Sequence, residues 1–287
     1  MQETFRGIVL RTVKYGDTSL IVDLFTESHG RMSFMASTLR AKRSVRSVSF
    51  WQPLSMVEFS AELLPNGGKL PRPSDVRTYY NYIDLPFSPI KSTLALFLAE
   101  FLSAALREEK ENTPLYRYIE SSLQWLDLAD SPASIANFHL AFLMHLSRFI
   151  GIYPNLDVSG NLNPNLNLNL NLNPNSPLSA VNSPLSTVHF QLSTLNCQLS
   201  TLNSQLYFDL LAGTYCDRQP SHAHFLRNEE ARVLPVLFRM NYPTMHLFRL
   251  SRRERQRILH VLNEYYRLHV PGFPELKSLE ILQELFS

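Results

Sequence analysis

Along the first eighty residues, short runs of apolar, β-branched and aromatic positions are separated by polar turn signals. Residues 8–14 and 20–25 are rich in β-branched and aromatic side chains, and Tyr15, Gly16 and Asp17 between them supply a turn. In the second run Leu20, Val22 and Leu24 share one face, and Ile21, Asp23 and Phe25 share the other. His29 and Gly30 turn the chain into a third run, residues 31–36. Residues 54–62 read as a fourth strand, followed by a turn at Pro65, Asn66, Gly67 and Gly68. A fifth segment, residues 75–82, alternates Val76, Thr78 and Tyr80 with Arg77, Tyr79 and Asn81. Five extended segments joined by short turns predict a small closed barrel, which leaves no sheet edge exposed.

From Pro86 the period lengthens to that of a helix. Leu94, Phe97, Leu98, Phe101, Leu102 and Ala105 make one apolar stripe. Pro114 opens a second helix that turns Leu115, Ile119, Leu123 and Leu126 inward. Ser131 and Pro132 open a third, over about residues 132–150, which Gly151 ends; its stripe is Ile135, Phe138, Phe142, Leu146 and Phe149. A further helix begins near Asn228, and Ser251 with Glu254 forms a capping box for another that runs through Leu268. Residues 274–286 read as a last short helix. The fold class is therefore α+β: an N-terminal barrel of OB-fold type over residues 1–82, then an all-helical domain over residues 83–287.

A low-complexity insert, at about residues 158–206, interrupts the helical part. Asn alternates with Leu from Asn161 to Asn173, and near-repeats of QLSTLN follow. The Asn content with Pro164, Pro174, Pro177 and Pro184 predicts a loose loop whose deletion leaves the fold largely intact.

Charge adds a functional dimension. The net charge is only +2, yet residues 1–80 hold eleven Lys and Arg against seven Asp and Glu. Arg40, Lys42, Arg43 and Arg46 lie within seven residues that contain no acid. Such a segment repels itself and suits a polyanion that sheds counterions on contact, the alternative being a solvated loop with no partner. Phe34, Phe50, Trp51, Phe59, Tyr79 and Tyr80 are either stacking platforms for bases or barrel core. Arg252, Arg253, Arg255 and Arg257 crowd the first turns of a helix, against its dipole; an anionic partner or a solvated face relieved by Glu254 accounts for them. Nine glycines with no phosphate-cradling loop, no G-x-S-x-G and no paired-His motif argue against an enzyme. His139 and His145, six apart, are ordinary helix histidines, and His29 beside Glu27 is turn chemistry. Two cysteines, a start without signal-peptide character and a longest apolar stretch broken by Glu100 imply a reducing cytoplasm and no membrane role.

The residues now in view resemble the RecO family of bacterial recombination mediators. The likeness rests on G-I-V-L-R-T-x-x-Y-G-D-x-S at Gly7 to Ser19, L-F-T-E-x-H-G at Leu24 to Gly30, and the basic loop after it. It continues with A-E-F-L at Ala99 to Leu102 and G-I-Y-P-N-L at Gly151 to Leu156, and outside the insert it covers essentially the whole chain. The resemblance implies an OB-fold and a helical domain, binding of single- and double-stranded DNA, and annealing of complementary strands. It also implies partnership with RecR, capture of the acidic tail of single-strand-binding protein, and loading of RecA, in a cytoplasmic, nucleoid-associated protein.

On that reading Arg40, Lys42, Arg43 and Arg46, helped by Arg6, Arg11, Lys14, Arg31 and Arg77, contact DNA phosphates without reading sequence. Arg148 and the cluster from Arg252 to Arg257 are candidates for the basic rim of the tail-binding groove. Many family members carry a four-cysteine zinc site. Here Ser159 and Gln219 stand at two of its positions and Cys216 is the thiolate that remains, so no structural zinc is expected. Cys216 with His222 and His224 is the alternative three-ligand site. The rival function is an interaction scaffold whose barrel no longer binds DNA.

Overall fold

A computed structural model describes residues 2–37, 49–63, 69–156 and 206–285. The chain divides into two compact units, Met1–Ser131 with Gly272–Ser287, and Pro132–Pro271.

The first unit is built on a five-stranded antiparallel sheet: β1 (Gln2–Tyr15), β2 (Ser19–Thr26), β3 (Gly30–Ser37), β4 (Met56–Glu62) and β5 (Ser74–Tyr80). The strands lie in the order β3-β2-β1-β4-β5. Long, bulged β1 serves both halves, pairing with β2 through Lys14↔Leu20 and with β4 through Phe5↔Phe59. The predicted closed barrel needs correction, because β3 and β5 are edges of the sheet. Among the described residues one backbone hydrogen bond spans the gap, from Met35 N to Pro71 O at 2.9 Å, in the segment ahead of β5. The sheet is OB-like but open.

Alternation decides its core. Phe5, Val9, Leu20, Val22, Leu24, Phe34, Trp51 and Phe59 are buried together. Phe34 meets Phe59 edge-on at 4.9 Å and Phe5 lies stacked on Phe59 at 5.5 Å, arrangements that suit ring quadrupoles.

The same unit contains α1 (Pro89–Ala105) and α2 (Thr113–Leu128). The predicted stripe of α1 is buried, and Asn112 caps α2 by accepting the Leu115 N–H at 3.1 Å. The β2–β3 turn packs onto the α1–α2 connection: the Arg31 N–H donates to Glu109 O at 3.0 Å. Gly30, with φ +68°, leaves no room for a Cβ, which would sit 2.3 Å from the Lys110 carbonyl carbon. Phe273 packs on Phe101 at 5.1 Å, and the last helix follows at Ser278–Leu285. That helix starts later than residue 274 because Glu100, inside α1, caps it. Glu100 accepts the Lys277 N–H at 3.1 Å and the Ser278 N–H at 2.8 Å. The polar break in the apolar stretch of α1 thus has a structural use.

The second unit holds α3 (Pro132–Phe149), three short strands, α4 (Asn228–Leu237) and α5 (Arg252–His269); the last helix of the first unit is α6. All-helical is corrected here. Strands β6 (Tyr207–Asp209), β7 (Thr214–Cys216) and β8 (Phe225–Arg227) pair in the order β7-β6-β8. At three residues each they are too short to show an alternation in sequence. Gly151 ends α3 with φ +76°, and both hydrogen bonds of the Ser251–Glu254 capping box form at α5. Tyr266 reaches from α5 to the Leu143 carbonyl at 2.8 Å, and Asn137 donates to Met245 O and Phe248 O at 2.9 and 2.8 Å. His145 bonds Met240 O at 2.8 Å. His139 is fully buried, and burial, with Arg255 nearby, depresses its pKa to about 3, so it is neutral in the fold. Among the described residues no helix is long and apolar enough to cross a membrane. The insert lies outside the described residues, save for Leu206 at its end.

Candidate nucleic-acid interface

Strand register carries three rows of side chains across one face of β1, β2 and β3. Arg11 stands opposite Asp23 and Ser33, Val13 opposite Ile21 and Met35, and Tyr15 opposite Ser19 and Ser37. At one end of the face Arg31 is drawn inward. Its guanidinium donates to Ser103 O at 2.5 Å and to Asp23 Oδ2 at 3.0 Å, while Ser33 donates to Asp23 Oδ1 at 2.6 Å. Arg31 and Asp23 are each 16% exposed, so this pair ties strands to α1 rather than offering a free cation. Toward the β1–β2 turn the surface opens: Val13 and Tyr15 are exposed on this face, as are Arg11 in the row of Asp23 and Lys14, which stands opposite Leu20 on the other face. Ser37, the last residue of β3, lies in the row of Tyr15, so the segment carrying Arg40, Lys42, Arg43 and Arg46 leaves the sheet at this end. Those four residues themselves lie outside the described residues.

A second group forms across β1, β4 and β5, where Arg6 pairs with Glu58 and Glu58 with Arg77 in register. One carboxylate holds both guanidinium groups: Arg6 Nε donates to Glu58 Oε2 at 3.1 Å and Arg77 Nε to Glu58 Oε1 at 3.0 Å. These bonds, Arg77 first and then Arg6, hold the Glu58 carboxyl below its usual range, and Glu58 in turn raises the Arg6 pKa. Arg6 also lies 5.2 Å from the centre of the Tyr79 ring. The trio retains one net positive charge, and both arginines stay largely exposed.

The candidate stacking aromatics go mostly inward. Phe34, Trp51 and Phe59 are core, and Phe50 packs partly against it. The Tyr79 hydroxyl pairs with that of Tyr116 at 2.9 Å, and the Tyr80 hydroxyl donates to Asp127 at 3.0 Å. Tyr15, read from the sequence only as a turn residue, is instead the exposed ring of this face, at 57%. Its signal was weak: an aromatic two residues ahead of Asp17, beside Gly16 at φ +65°, where a turn by itself requires no ring.

In the second unit the arginines of the proposed groove rim have separate local partners. Arg148 lies 4.4 Å from the centre of the Tyr153 ring and donates to its hydroxyl at 2.9 Å. Arg257 forms two bonds with Glu230, at 2.6 and 3.1 Å, and Arg255 donates to Leu250 O at 2.5 Å. Arg252 and Arg253 are exposed. Cys216, its thiol pKa raised by burial, sits on β7. His222 pairs with Asp209 at 3.3 Å and His224 with Glu264 at 2.7 Å. Among the described residues no three His, Cys, Asp or Glu side chains are grouped to hold a metal ion, so the three-ligand alternative does not assemble. The donors in place do not fit a thiolate site.

Comparison with known proteins agrees with the sheet and helices. Residues 1–82 match the family model described as Recombination protein O N terminal, and residues 86–175 match Recombination protein O C terminal. The DNA repair protein RecO of Phocaeicola vulgatus is 42% identical over 281 residues, 98% of each chain. That of Bacteroides fragilis strain ATCC 25285 is 43% identical over 282 residues, 98% of this chain and 97% of the relative. The protein of the same name from Porphyromonas gingivalis is 29% identical over 283 residues, 98% of each chain. With two matching family models laid in order along the chain and relatives that span it end to end, this protein belongs to the RecO family of bacterial DNA repair and recombination proteins.

Proposed function

We propose that the chain is a non-catalytic recombination mediator. Residues 1–82 bind single- and double-stranded DNA through Arg40, Lys42, Arg43 and Arg46, extended by Arg11 and Lys14. Holding two strands against one basic surface lowers the cost of bringing their phosphates together, which favours annealing. The helical part, residues 83–287, joins RecR and the tail of single-strand-binding protein, so that RecA is loaded on the covered strand, with Arg148, Arg252, Arg253, Arg255 and Arg257 as rim candidates. The observation that supports this most directly is the exposure of Arg11, and of Lys14 near the sheet end from which the basic segment departs.

A scaffold without DNA binding is the second reading. It is favoured by the commitment of Arg6 and Arg77 to Glu58 and of Arg31 to Asp23. Anisotropy binding to a labelled mixed-sequence strand and its duplex, over a salt series, separates the two. The mediator loses affinity steeply with salt, with little sequence preference, and the Arg40, Lys42, Arg43 and Arg46 to Ala variant loses both affinity and slope. A variant that binds as the parent does would move the assignment to the scaffold.

A further inference from the structure

We infer that Tyr15 is a base-stacking subsite, which takes one unpaired nucleobase of a strand whose phosphates meet Arg11 on the same face. The inference rests on the DNA-binding reading above and gives it a means of telling single strands from duplex. Tyr15 is 57% exposed and Val13 beside it 39%. Among the described residues no ring, side-chain hydrogen bond or ion pair engages the Tyr15 side chain, and none engages that of Arg11 or Lys14. Half-buried Ile21 and Met35 complete the apolar row next to the ring, across from Val13. The occupant follows from chemistry. An exposed ring wants a flat apolar face, the Arg11 cation on the same face wants an anion, and an unpaired strand offers both. Bases in a duplex already stack on one another and present only their edges in the grooves, so Tyr15 engages unpaired bases alone.

The test uses the full chain and three labelled probes of equal length: a mixed-sequence strand, its duplex, and a strand of abasic sugars. Salt-dependent binding of the parent protein to all three tests the underlying reading, and its absence overturns that reading together with the subsite. Given such binding, Tyr15→Ala weakens the mixed-sequence strand about ten-fold. It leaves the duplex, the abasic strand and the salt slope unchanged, while Tyr15→Phe keeps parental affinity. An exposed turn position makes folding of the Ala variant straightforward to verify by its melting temperature. Unchanged strand binding in Tyr15→Ala, an equal loss on strand and duplex, or failure of Tyr15→Phe to retain affinity overturns the subsite while leaving DNA binding itself in place.

Discussion

The carboxylate of Asp127, near the end of α2, accepts the backbone N–H of Leu85 at 2.7 Å, joining two positions 42 residues apart. The same carboxylate takes the N–H groups of Ile83 and Asp84 and the Tyr80 hydroxyl, and Lys91 Nζ donates to the Asp127 carbonyl at 2.8 Å. Burial alone would raise its pKa, but those donors outweigh burial and lower it. This residue fixes the turn that carries the chain from β5 into α1.

Asp127→Ala therefore strands three backbone donors and the Tyr80 hydroxyl, while Lys91 keeps the main-chain carbonyl of residue 127. The expected cost is about 3 kcal/mol of unfolding free energy, read as a lower urea midpoint, with Asp127→Asn recovering only part because an amide oxygen replaces a carboxylate.

Gly30→Ala meets two obstacles, a left-handed backbone and the Lys110 carbonyl. About 2 kcal/mol or more is expected, with loss of the Arg31 N–H to Glu109 O bond. A melting temperature equal to that of the parent would show that the β2–β3 turn moves freely away from the α1–α2 connection.

Glu58→Gln releases two guanidinium groups from one carboxylate. If Arg6 and Arg77 touch DNA, affinity rises a few-fold at moderate salt and the salt slope steepens by up to about one. An unchanged slope would assign both arginines to sheet structure alone.

His139 gives the second unit a pH signature. Its folded pKa of about 3 lies below its ordinary 6.5, so the unfolded chain takes up a proton first as pH falls. Stability contributed by the neutral ring is whole above about pH 6.5 and is lost progressively from there toward pH 3, by roughly 1 kcal/mol per pH unit. Glu100 and Asp127, whose pKa values are lowered, act only below the ordinary carboxylate range. Denaturant unfolding of the parent and of His139→Gln between pH 7 and 5 checks this: the parent slope should be larger.

Residue pattern alone was enough for the strands of the sheet, the buried stripes of α1 and α2, the middle of that of α3, whose ends Ile135 and Phe149 are only half-buried, the glycine stop after α3 and the capping box of α5. These depend on side-chain period and on groups within four residues, which any local reading of the chain contains. The family motifs at Gly7 to Ser19 and at Leu24 to Gly30 were legible for the same reason, being contiguous. Tertiary structure decided the uses of charge. Arg6, Arg31 and Arg77 look alike in sequence, yet carboxylates on neighbouring strands take all three, while Arg11 and Lys14 stay exposed. Glu100 looked like a flaw in an apolar helix until its partner, 178 residues along the chain, came to rest on it. Tyr15 and Phe34 are both aromatic residues of the first three strands, but register sends one outward and the other to the core. Helix and strand formation are governed by near neighbours, whereas the fate of a charge or a ring is settled by desolvation and by partners that only folding brings within reach.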